Sequence, residues 1–128
     1  EAALADAWAY AEERVQFGRP ISAHQAIRHD LAACATDVKA MRHMLMHATW
    51  LADLDRPCSV ETSMAKLFCC EAAARVTQSC QRITGAYGLS DGMDMERYVR
   101  DAISLPIVGG SSNMQKNNIA NRMGLRSK

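Results

Sequence analysis

The chain has 128 residues, 48% apolar but only 5% aromatic, and a formal net charge of +1. That length suits one domain with a real core and is short for a conventional two-domain enzyme. Lys and Arg are scattered among Asp and Glu, which excludes a basic stripe for nucleic acid or an anionic membrane.

No apolar run is long enough to span a bilayer, and the opening "EAALADAWAYAEERVQF" has no basic leader region or cleavage signal, so a soluble, cytoplasmic chain is expected. With so few aromatics, the core has to come from Ala, Leu, Ile, Val and eight Met, which is helix-packing material. Cys34, Cys58, Cys69, Cys70 and Cys80 are an odd number in such a chain and are expected as free thiols packed like small apolar residues.

In chain order, Leu4, Ala7, Trp8, Ala11 and Val15 recur at helical spacing, giving a helix to about residue 16 that is entered partway, with no cap before Glu1. "FGRPIS" breaks it at Gly18 and Pro20. Ser22 and Gln25 form a capping-box pair ahead of a long helix to about Leu54, whose seam runs through Ile27, Leu31, Cys34, Val38, Met41, Leu45 and Ala48. "DLDRPCS" is a loop, and Ser59 caps a third helix to about Thr84 that should lie antiparallel to the second.

"GAYGLSDGMD" is a glycine-rich break, followed by a short helix through Met95, Tyr98, Val99 and Ile103 that ends before Pro106. After "IVGG" a last helix, with Ser112 and Gln115 as its capping box, ends near Gly124. The expected fold is all-α, an up-and-down four-helix bundle with its first helix truncated, without strands or repeats.

Few groups stand out as chemistry. His43 and His47 share a helix face at i, i+4, but no third ligand lies at a metal-motif spacing, so a solvated face is expected. Cys69 and Cys70 are about 100° apart around a helix and do not chelate as a pair. "ERVQFGRP" sets an arginine and a phenylalanine where a helix turns, which fits either a phosphate-binding guanidinium beside a flat apolar wall or a plain helix end with a buried Phe. "IVGGSSNMQ" is either an ordinary interhelical turn or a backbone joint that aims the N–H groups of a helix start at an electron-rich ligand.

The motifs "YAEERVQFGRPI", "HQAI", "SMAKLF", "ITGAYG", "ERYVRDA" and "GGSSNMQ", in this order and spacing, make the chain resemble the C-terminal helical domain of the acyl-CoA dehydrogenases, flavoenzymes of fatty acid metabolism that oxidise acyl-CoA thioesters to 2-enoyl-CoA. The likeness runs to about Met123. It implies that residues 1–128 follow an N-terminal helical domain and a middle β domain in a longer chain, with FAD held between domains and by a neighbouring subunit. The implied partners are the acyl-CoA substrate, an electron-transfer flavoprotein or similar acceptor, and further copies of the chain in a dimer or tetramer.

Residue by residue, the resemblance puts Arg14 at the FAD pyrophosphate of the adjacent subunit and Gln16 and Phe17 beside that nucleotide. Arg82 stands where the family usually has a glutamine facing the neighbour's FAD. Gly85 keeps a family glycine and Ala86 replaces the next. Ser111 and Asn113 fall where polar residues meet FAD at the start of the last helix.

Many members carry the glutamate that removes the α-proton at the position of Gly109, with a tyrosine at that of Val108. Glycine offers no base. Some branches, isovaleryl-CoA dehydrogenase among them, also have a small residue here and bring the glutamate from the first helix of the domain, at a position upstream of Glu1, so no catalytic residue is expected within this chain. Three functions remain open: a dehydrogenase domain whose base lies upstream, a non-catalytic paralogue or partner subunit that lends residues to a neighbour's flavin, and a bundle acting only in protein association.

Overall fold

A computed structural model describes residues 1–125 of the chain. Five α-helices are present: α1 (Ala2–Glu13), α2 (Gln25–Asp53), α3 (Ser59–Thr84), α4 (Met95–Ser104) and α5 (Ser112–Arg122). Single 3-10 turns cover Ile21–Ala23 and Gly85–Leu89. Helix α3 is the axis of the bundle and packs against each of the others.

Cross-helix pairs give the directions. Cys69 Sγ meets the Met41 carbonyl at 3.5 Å, and Arg75 pairs with Asp37 at 3.1 Å, so partner numbers on α2 fall as those on α3 rise and the two helices are antiparallel. Helix α1 starts beside α2, where Glu1 holds Arg42 in a two-pronged ion pair, and ends where Tyr10 meets Tyr87, with ring centroids 5.8 Å apart. It therefore covers the C-terminal half of α3. The Arg42 guanidinium keeps the Glu1 carboxyl below the usual carboxylate range.

Helices α4 and α5 form the fourth column together. The end of α4 is tied to Lys66, and the start of α5 to Glu71. The bundle expected from the sequence is thus present, with its last column broken at the two glycines.

The core lies where α1, α2, α3 and α4 meet. Ala3, Ala7 and Ala11 are small enough to let α1 approach Val76, Cys80 and Ile83 of α3, and Leu31, Cys34 and Met95 close the cluster. All five cysteines are free. The α2 seam is interrupted at Leu45, which the spacing places in it and which is 56% exposed, while Ala48 and Leu51 further along the helix are buried.

Four local expectations are corrected. Residues 15–20 are not simply a break but an antiparallel two-rung ribbon, β1 (Val15–Gln16) and β2 (Arg19–Pro20), with Val15 opposite Pro20 and Gln16 opposite Arg19. Strands of two residues carry no alternation that a pattern search can detect. Ser22 does not cap α2, since Ile21–Ala23 wind as a 3-10 turn and His24 is the N-cap; Cys58, not Ser59, stands at the N-cap of α3. The cap of α5 is Ser111, whose Oγ accepts from the Met114 N–H at 3.4 Å, while Ser112 Oγ is drawn off to Glu71 and Gln115 reaches back to the Gly110 carbonyl.

Candidate functional site

The residues singled out in the sequence fall into two groups on the bundle. The first is at the end where α1 and α3 finish. Residues 14 to 19 are all exposed. Phe17 and Gly18 form the two-residue tip of the ribbon at φ +54 and +78, the paired positive values that a primed hairpin turn requires. Such values suit glycine; a phenylalanine there is strained, and its ring is 93% exposed as well. The buried Phe that one reading of "ERVQFGRP" calls for is therefore absent. Arg14, the C-cap of α1, bonds through its carbonyl to the Ile21 N–H at 2.8 Å, and its guanidinium enters no ion pair among the described residues.

The contact between Tyr10 and Tyr87 brings the second glycine-rich turn to the same end. Arg82, in the last turn of α3, Gly85 and Ala86 all lie there, the two turn residues exposed. Gly85 takes φ +59 as α3 terminates. Gln81 Nε2 donates to the Gly85 carbonyl at 3.1 Å, while its Oε1 is buried without a partner among the described residues. Gly88 leaves no room for a side chain, because a Cβ would run into Thr84 Oγ1, itself buried and donating to the Cys80 and Gln81 carbonyls.

The second group, Gly109 to Asn113, sits lower on α3. From Glu71, which holds Ser112, to Arg82 the helix rises about 16 Å at 1.5 Å per residue. Two α3 side chains clamp this turn. Lys66 Nζ donates to the Leu105 carbonyl at 2.7 Å, and Ser112 Oγ donates to Glu71 Oε1 at 2.5 Å. Between the clamps Gly109 and Gly110 have φ +65 and +94, and a Cβ on Gly109 would lie 3.7 Å from Lys66 Cε. Asn113 is exposed in the first turn of α5, where the Ser112 N–H bonds to the Pro106 carbonyl and the Met114 N–H to Ser111 Oγ.

No side-chain carboxylate is provided by position 109 itself. Sequence patterns alone do not mark Lys66, Glu71 and His24 as members of these sites, although the first two lie in or beside "SMAKLF" and the last in "HQAI". His43 and His47 are exposed, the latter stacked on Trp50, and no cluster of three potential metal ligands exists among the described residues. No helix among them is long and apolar enough to cross a membrane.

Comparison with known proteins gives this geometry its family. Residues 1–124 match the acyl-CoA dehydrogenase C-terminal domain. A probable acyl-CoA dehydrogenase of Bacillus subtilis is 41% identical over 123 residues, which are 96% of this chain and 32% of that protein. The structure of butyryl-CoA dehydrogenase from Megasphaera elsdenii superposes with a TM-score of 0.93 at 33% identity, covering 97% of this chain and 32% of that one. An FAD complex of the protein PigA gives the same score at 26% identity, over 98% of this chain and 33% of that one. The chain belongs to the acyl-CoA dehydrogenase family and carries its C-terminal helical domain. It spans about a third of the length of the relatives it matches.

Proposed function

We propose that residues 1–128 are the C-terminal domain of a longer FAD-dependent dehydrogenase that introduces a double bond between the α and β carbons of an acyl-CoA thioester. The observation that carries this reading is Phe17: a strained backbone holds a large apolar ring out in solvent, three residues from Arg14, which has no ion pair among the described residues. Strain of about 1–3 kcal/mol at a loop tip that contributes nothing to the core is characteristic of a ligand-facing residue.

The exposed groups fit a flavin nucleotide in chemistry. Arg14 supplies a fixed charge for the pyrophosphate, and Gln16 and Phe17 a polar edge and a flat wall for the nucleotide beside it. Arg82, with Gly85 and Ala86 at the same end, adds a second cation where relatives usually have an amide. Ser111 and Asn113 offer polar side chains at the positive N-terminal end of α5. FAD bound at these residues supplies the acceptor for the two electrons that leave the acyl chain. The base that takes the α-proton is assigned to the first helix of the domain, upstream of Glu1, because Gly109 has no side chain to offer.

A second reading, a paralogue without activity that lends Arg14 and Phe17 to a neighbour's flavin, draws on Gly109 and on the altered Arg82–Ala86 turn. The cofactor part is tested by FAD titration of the full-length apoprotein. Arg14→Ala and Phe17→Ala are each expected to weaken FAD binding about tenfold or more with helix content unchanged, the loss of one charge-assisted contact or one apolar wall. Wild-type affinity in both variants would remove the hairpin from the flavin site.

A further inference from the structure

Residues 14 to 19 are all exposed, so the ribbon that bears Phe17 has no hydrophobic underside to hold it in place. Two rungs of backbone pairing are only marginally stable in water, and a strained tip persists only where its surroundings fix it. A side chain that touches this ribbon at several points is His24, partly buried at the N-cap of α2. Its Nδ1 lies 3.2 Å from Arg19 Nη2, its Nε2 lies 3.4 Å from the Gln16 carbonyl, and its ring meets that of Phe17 edge to face at a centroid distance of 6.1 Å. One imidazole thus reaches both strands and the tip.

The partners also define the form of the ring. A guanidinium only donates, so Nδ1 must accept from Arg19; a carbonyl only accepts, so Nε2 carries the proton toward Gln16. The neutral Nε2–H tautomer satisfies both contacts at once.

We infer that His24 is a positioning residue that clamps the Val15–Pro20 hairpin to the start of α2, holding Phe17 and Gln16 in their flavin-facing arrangement. This rests on the proposed flavin-binding role of the hairpin. It also explains what "HQAI" contributes, since its histidine, at the N-cap position of the long helix, seats the hairpin on that helix. Anchoring an exposed loop to a helix cap restricts the hairpin before the cofactor arrives, so less freedom is lost on binding.

The test has two independent readouts on the full-length protein. In the holoprotein, His24→Ala is expected to speed FAD dissociation about tenfold, the worth of one hydrogen bond to a charged partner. His24→Asn, whose Oδ1 can accept from Arg19 where Nδ1 did and which is a favourable N-cap, is expected to recover most of that loss. Arg19→Ala, which removes one of the three contacts, should speed dissociation by less than His24→Ala, and the double variant should be no worse than His24→Ala alone.

In the apoprotein, trypsin is expected to cut the Arg14–Val15 bond several-fold faster in His24→Ala and Arg19→Ala than in the wild type. Unchanged cleavage in both variants would overturn the clamp whatever happens to the flavin. Faster FAD loss from Phe17→Ala but not from His24→Ala would likewise overturn the clamp and leave the flavin reading standing. Faster cleavage with FAD retention unaffected in every hairpin variant would uphold the clamp and remove the flavin from the hairpin.

Discussion

Phe17 combines two costs that a protein ordinarily avoids. Leaving a phenylalanine ring in water forgoes roughly 2 kcal/mol of burial, and φ +54 adds strain that a glycine or asparagine would not carry. Cys80 shows the opposite placement. It is fully buried between α2 and α3 beside Cys34, and burial, reinforced by the neighbouring Cys34 thiol, pushes its thiol up to about 12. Burial raises Cys34 as well.

A thiol whose pKa is higher in the folded state stabilises the fold below its unfolded value, and that stabilisation is lost as pH rises toward the folded value. Alkylation of Cys80 in the native full-length protein is therefore expected to stay low up to about pH 10, where an ordinary thiol would be mostly thiolate, and that of Cys34 to lag behind an ordinary thiol. Mass spectrometry of the labelled protein reads this directly. Labelling of Cys80 that climbs through about pH 8.5, as in an unfolded chain, would contradict it.

At the scale of elements, the sequence is most legible where periodicity is long. The helix it predicts for α3, capped at Ser59 and running to about Thr84, comes within one residue of the Ser59–Thr84 found, because twenty-six residues hold many repeats of one apolar face. It is least legible where structure is local: the hairpin is too short to alternate, and the cap of α5 shifts by one residue because Glu71, distant in sequence, competes for Ser112. The exposure of Phe17 is equally out of reach, since an apolar residue after a helix reads the same whether buried or displayed. The family motifs locate the flavin-facing candidates but assign nothing to Lys66 or Glu71, which act through contacts thirty-nine and forty-one residues away.

The turn between α4 and α5 has its own prediction. Gly110 takes φ +94, and a Cβ there would lie 2.7 Å from Gln115 Nε2, a buried side chain already bonded to the Gly110 carbonyl. Gly110→Ala is expected to cost about 1–3 kcal/mol through backbone strain and displacement of Gln115. The measurement is a fall of several degrees in the melting temperature, together with faster hydrogen exchange at the first amides of α5. A variant that melts and exchanges like the wild type would mean that the turn is looser than its clamps imply.

Over the whole molecule, the apolar surface is unevenly covered. Leu45, Met46, Trp50 and Leu54 stand exposed along the second half of α2, and an open groove of about 560 Å³ runs between α2 and α3 beside Glu1, lined by Val38, Met41, Cys69 and Leu105. Apolar surface of this extent is typical of faces that meet another domain or subunit. The two candidate groups lie at different heights on α3. The family resemblance assigns the hairpin end to a neighbour's FAD and the α5 start to FAD as well, and we propose a dimer or tetramer on that basis, with an electron-transfer flavoprotein or similar acceptor.

Whether such an assembly is catalytic turns on the missing carboxylate at position 109. The decisive measurement is anaerobic addition of a panel of acyl-CoA thioesters to the full-length, FAD-loaded protein while the absorbance of oxidised flavin is followed. Rapid bleaching by at least one thioester is expected, with the base then sought upstream of Glu1. No bleaching by any of them, with FAD and a CoA ligand both demonstrably bound, would contradict the dehydrogenase assignment and leave a domain that keeps the architecture without the chemistry.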